Sequence, residues 1–231
     1  MERRYIVMEY VPHTLHDLVF AHRKPIKTGA PTPPVHRLCD CEGRVDIGLY
    51  FRLALQLARV MYFIHGRGVI HRDLKLTNVL VTADNQIKLA DFGISKLVGM
   101  DNMLKTMTIQ AGTPSFMAPE VMGAIGNESS QSARYDHRVD IYAYGIMLWM
   151  MWHAKDPFCE IKGGLLDFMM AVAQRRYRPP LEADCPRMLC DLMQRCWHHD
   201  PFQRPESFAD IASELEEAAQ ELHVVPHAGD R

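Results

Sequence analysis

Apolar residues recur at three- and four-residue spacing from Tyr50 through Leu53, Ala54, Leu57, Val60 and Met61 to Ile64. That period predicts an amphipathic helix, opened by Asp46 and closed at Gly66, with Arg52, Gln56 and Arg59 on its polar face. A different pattern follows. Val79-Leu80-Val81 and Ile87-Lys88-Leu89-Ala90 are short apolar, partly β-branched runs around Thr82–Gln86, the composition of a hairpin with a polar turn. From Ile141 to Trp152 the apolar run is interrupted only by Gly145. A helix apolar all round must be buried all round, so this segment, entered at Asp140, is expected to form the spine of the domain.

The remaining pattern completes a mainly α chain. Tyr5-Ile6-Val7-Met8 reads as a buried strand ended by Pro12, and Thr14 caps a short helix reaching Phe20. Residues 22–46 hold Pro25, Pro31, Pro33, Pro34, Gly29 and Gly43 without periodicity, and are expected to form a long surface loop. Gly93 to Pro119 is irregular, and Gly123 to Arg138 reads as a second loop. Helices are expected over Gly164–Ala173, Pro186–Trp197 and Ser207–Leu222, the last opened by a Ser207-x-x-Asp210 capping box. Residues 223–231 read as a frayed tail.

Composition narrows the classes. The 231 residues are 48% hydrophobic and 23% charged with a formal net charge of -2, which suits a globular chain with no general attraction for nucleic acid. Six scattered cysteines suit free thiols in a reducing compartment, and His36, Cys39 and Cys41 lack the second pair of a zinc site. The run to Trp152 falls short of the ~20 residues that span a bilayer, and the N-terminus is no secretory signal. No membrane segment is expected, and the chain is expected to be cytoplasmic or nuclear. Asn127-Glu128-Ser129 is read as a solvated loop.

The chemistry is concentrated between His71 and Gly93. His71-Arg72-Asp73-Leu74-Lys75-Leu76-Thr77-Asn78, then Asp91-Phe92-Gly93 after the hairpin, place carboxylates, a lysine and an amide beside one another in sequence. Phosphoryl transfer needs such a set: hard oxygen ligands for magnesium, a cation for the transferring phosphate and a carboxylate to orient the attacking hydroxyl.

Together with Ala118-Pro119-Glu120, these motifs resemble, in order and spacing, the catalytic half of a eukaryotic protein kinase. The resemblance implies an α+β family fold, of which residues 1–12 would supply the last N-lobe strand and hinge. Residues 13–222 would form a C-terminal lobe, a helical bundle around a buried central helix, with 91–120 as the activation segment. It implies ATP and Mg2+ as cofactors and proteins as substrates. Asp73 would be the catalytic base, Lys75 would meet the γ-phosphate, and Asn78 and Asp91 would bind magnesium. Phe92 would pack on His71 ahead of Gly93. Met8, Glu9 and Val11 would line the adenine hinge above Leu80. Arg72 would pair with a phosphorylated Thr106 or Thr108, Glu120 with Arg204 in a buried ion pair, and Asp140 with the backbone at His71-Arg72.

Lys75 and Thr113 resemble serine/threonine kinases, whereas Cys196-Trp197, Asp200-Pro201 and Arg204-Pro205 resemble the tyrosine-kinase-like group. No Gly-x-Gly-x-x-Gly occurs. The resemblance therefore implies a serine/threonine kinase domain truncated before its hinge, with regulatory domains outside this chain. The alternative is a kinase-like binding module without catalysis.

Overall fold

The computed structural model describes residues 9–20, 38–39, 44–91, 114–124 and 136–224. The strand expected over Tyr5–Met8, most of the two long loops and the tail from 225 lie outside them. In chain order the elements are β1 (His13–Thr14), α1 (Leu15–Val19), α2 (Ile47–His65), β2 (Val79–Val81), β3 (Ile87–Leu89), α3 (Pro119–Ala124), α4 (Arg138–His153), α5 (Leu165–Met169), α6 (Arg187–Cys196) and α7 (Phe208–Glu221). Helices dominate, and one small antiparallel sheet of order β1-β2-β3 accompanies them.

Side chains start these helices where the sequence places them. Thr14 Oγ1 accepts the Asp17 amide while Asp17 reaches back to the Thr14 amide. Asp46 accepts from the Leu49 amide at 2.9 Å, and Ser207 and Asp210 close the same reciprocal box on α7. Each cap satisfies donors that a helix start otherwise leaves open, worth about 1 kcal/mol.

The apolar run behaves as its pattern demands, since every residue of α4 from Val139 to His153 is buried. Two buried phenols tie it to α2: Tyr144 Oη donates to the Ala54 carbonyl at 2.8 Å and Tyr50 Oη to that of Leu148 at 3.3 Å. Burial pushes both phenols well above the ordinary tyrosine range, so they remain donors. Phe208, fully buried on α7, meets the rings of Tyr144 and His65 edge-on.

Gly145 sets the spacing between α4 and α6. A Cβ there would stand 2.6 Å from Cys196 Cβ and 3.3 Å from the Trp197 amide nitrogen, and both belong to the buried end of α6. Gly145→Ala is expected to destabilise the fold by about 1–3 kcal/mol through overpacking, measured as a lowered urea midpoint. Gly123→Ala, with nothing within 4 Å of its Cβ, serves as the unstrained comparison.

Several expectations are corrected. The hairpin is the larger part of a three-stranded sheet, because His13 and Thr14 pair with Val81 and Leu80. Residues 22–46 are not all surface loop: Leu38 and Cys39 are buried, Cys39 bridges Val45, and the Asp46 amide donates to the Leu38 carbonyl. Apolar side chains amid prolines found a core to enter. Pro119–Ala124 is helical and α4 starts at Arg138, so both ends of the loop expected over 123–138 belong to helices. The first two residues of the expected tail are held against α7, where His223 turns left-handed and the Val224 amide donates to Ala219.

By length and composition α2, rather than the run to Trp152, could cross a membrane, but more than half of it is buried inside the protein. Packing against α7, α4 and β3 is the behaviour of a core helix.

Candidate active site

The segment 71–78 leaves α2 and enters β2 through a 3₁₀ turn at Leu76–Asn78. Its geometry is imposed from below by one carboxylate. Asp140, in the first turn of α4 and 1% exposed, accepts the amides of His71 and Arg72 at 2.8 Å each, one on either oxygen. His65 Nε2 lies 2.8 Å from the same Oδ2. Arg72 is thereby held at φ 66, a left-handed conformation that costs a non-glycine residue about 1–3 kcal/mol and persists only under such constraint.

His71 is fully buried. Its Nδ1 accepts the Asp73 amide at 3.3 Å, which leaves Nε2–H to donate to the Ala90 carbonyl at 3.0 Å. One ring thus connects the loop to the exit of β3. The Ala90 amide in turn donates to the Asn78 carbonyl at 2.9 Å, so Asp91 emerges beside Asn78, exposed and at φ 59.

Above this frame the polar side chains converge. Asp73 Oδ2 accepts from Lys75 Nζ at 2.8 Å and from Asn78 Nδ2 at 3.0 Å, and Asn78 Nδ2 also donates to the Asp73 carbonyl at 2.8 Å. Asn78 is buried, whereas the side chains of Asp73 and Lys75 are 50% and 34% exposed. A half-exposed carboxylate held through one oxygen can accept a proton from a hydroxyl that reaches it. With its amide nitrogen engaged, Asn78 offers Oδ1, and with the Asp91 carboxylate this makes a pair of hard oxygen donors. Two such ligands, completed by phosphate oxygens and water, suit magnesium.

On the other side of β2, Leu80 is half-buried opposite Thr14 and Lys88. Val11 is half-buried, Glu9 is exposed, and Lys88 Nζ pairs with the Glu9 carboxylate. The stretch before β1 is thus tied to β3 across the sheet. Glu120 and Arg204 form a two-pronged pair at 2.8 Å for each contact, with the arginine side chain fully buried and Glu120 24% exposed. The pair is buried at one end only. Met8, Phe92, Gly93, Thr106, Thr108 and Thr113 lie outside the described residues.

Two positioning groups escape the sequence reading. His65 adds a third donor to Asp140, and the signal for it is a histidine in the last turn of the helix that leads into the loop. Gln56, placed on the polar face of α2, instead clamps the hairpin: its Oε1 accepts the Ile87 amide at 3.0 Å and its Nε2 donates to Asn85 at 3.1 Å.

Residues 1–215 match the model of the protein tyrosine and serine/threonine kinase family. Among curated relatives, a probable serine/threonine-protein kinase of Dictyostelium discoideum is 36% identical over 174 residues, 75% of this chain and 18% of its own. The serine/threonine/tyrosine-protein kinase HT1 of Arabidopsis thaliana is 37% identical over 172 residues, 74% of this chain and 40% of its own. The dual specificity protein kinase shkA of Dictyostelium discoideum is 36% identical over 169 residues, 72% and 30%. The matched stretch therefore spans less than half the length of these relatives.

Proposed function

Because this chain belongs to the protein tyrosine and serine/threonine kinase family, we propose that it serves a protein serine/threonine kinase, transferring the γ-phosphate of ATP to protein hydroxyls. The observation that carries the reading is the cluster at Asp73, where a lysine and an amide bind one carboxylate oxygen within 3.0 Å above a loop pinned by Asp140.

Each residue has a task in that reaction. Asp73 orients the attacking hydroxyl and accepts its proton at a carboxylate oxygen. Lys75, beside it, places a positive charge where the transferring phosphate gathers negative charge. Asn78 Oδ1 and Asp91 are the residues that would hold Mg2+, which when bound neutralises phosphate charge. Leu80 and the backbone of Met8, Glu9 and Val11 are assigned to the adenine. Lys75, two positions after the base, with Thr113 favours serine and threonine over tyrosine, and Thr106 or Thr108 is assigned as the phosphorylated partner of Arg72.

The test is a radiolabelled ATP assay on the natural full-length gene product with a mixed serine, threonine and tyrosine peptide library. Label is expected on serine and threonine peptides and to depend on magnesium. Label confined to tyrosine would overturn the specificity, and no label on any peptide or on the protein itself would overturn the reaction.

A further inference from the structure

Away from Asp73, residues that follow α5 and residues that end α6 line an open pocket of about 470 Å³. Its lining includes Arg176, Arg178 and His199, with Trp197 and Leu181 as apolar wall. The hydrogen bonds of Arg178 all go to carbonyls: Nε donates to Trp197 at 2.9 Å, and Nη1 donates to Tyr177 at 2.8 Å and to Val172 at 3.2 Å, while its guanidinium lies 5.3 Å from the centroid of the Tyr142 ring. Its Nη2 is buried and has no hydrogen-bond partner among the described residues, and the same holds for His199 Nδ1.

No carboxylate within hydrogen-bond distance balances this guanidinium among the described residues. Asp200 lies on the rim, but its Oδ1 caps the turn that follows by accepting the Phe202 amide at 2.9 Å. Glu120 contributes to the field around Arg178 and is already paired with Arg204. Burial, then Arg176 and Arg178, push His199 below the usual histidine range despite Glu120. The surroundings of His199 are thus net cationic. A half-buried charge without a carboxylate partner is costly, and two guanidinium groups at one pocket match the charge and donor geometry of an oxyanion.

We propose that this pocket is a phosphate-binding subsite, with the Arg176 and Arg178 guanidinium groups as its cations and Trp197 as its wall. A phosphate dianion is the best charge match to two guanidinium groups, and it arrives either as free phosphate or on a phosphorylated side chain. The site is separate from the transfer reaction, so its test reads binding alone.

Sodium phosphate is titrated into the full-length chain while the indole resonance of Trp197 is followed by NMR, with sodium chloride of equal ionic strength as control. A saturable shift specific to phosphate is expected. Arg176→Asn, at an exposed residue whose φ of 57 asparagine tolerates, is expected to weaken binding about five-fold without unfolding the chain. A phosphoserine peptide that binds tighter than inorganic phosphate assigns the site to a modified protein segment, and equal affinity assigns it to the free ion. Absence of a saturable shift, or an unchanged dissociation constant in Arg176→Asn, overturns the proposal.

Discussion

Asp73→Asn is expected to lower phosphoryl transfer by about 10²–10⁴-fold while leaving the fold intact. An amide in this place still receives one hydrogen bond on its oxygen, so the loop can keep its shape. What is lost is the proposed proton acceptor and a negative charge between Lys75 and Asn78, both within 3.0 Å of the carboxylate. Because the loop is held by Asp140 through the His71 and Arg72 amides, the substitution tests the chemistry rather than the scaffold. Steady-state transfer by the full-length protein checks it, with an unchanged thermal midpoint as the control for folding. Transfer equal to wild type would remove Asp73 from the reaction.

The second large effect is on stability. Glu120→Gln is expected to cost about 3 kcal/mol, read from the urea unfolding midpoint, because it leaves a buried guanidinium without its counter-charge. Arg204 is fully buried as a side chain and donates to Glu120, to the Arg138 carbonyl at 2.9 Å and to His198 at 3.0 Å. It also lies over the Tyr142 ring. Glu120 is partly open to water, which places the expected cost at the low end of the range for broken buried pairs. The loss should fall on α3, since Glu120 is that helix's link to the segment before α7. A change below about 1 kcal/mol would show that solvent replaces the glutamate, and the pair would then rank with surface pairs.

Legibility in the sequence followed the physics of each feature. The period of α2, the unbroken run of α4 and the caps at Thr14, Asp46 and Ser207 are local signals, and the elements appear where those signals stand. The candidate site was legible for a different reason. Its residues sit at short fixed offsets in one loop and one hairpin, so sequence proximity forces spatial proximity of Asp73, Lys75 and Asn78.

Among contacts between distant segments, Asp140 beneath the loop and Glu120 on Arg204 were legible only through the family resemblance, and the others were not legible. β1 has two residues and no period, and its identity as a strand comes from Val81 and Leu80, far along the chain. Leu38 and Cys39 sit in a proline-rich stretch and are buried because Leu18 and Val45 stand opposite them. Gln56 on a polar face and His65 at a helix end gain their roles only when the hairpin and α4 arrive.

The sequence by itself determined the long helices, the hairpin and the set of candidate site residues, since periodicity, capping and motif spacing act over a few residues. Tertiary structure alone decided that His65 joins the loop amides on Asp140, how closely α6 approaches α4 at Gly145, and that Arg176, Arg178 and His199 share one pocket. Those outcomes rest on contacts between segments whose order along the chain carries no record of their distance in space.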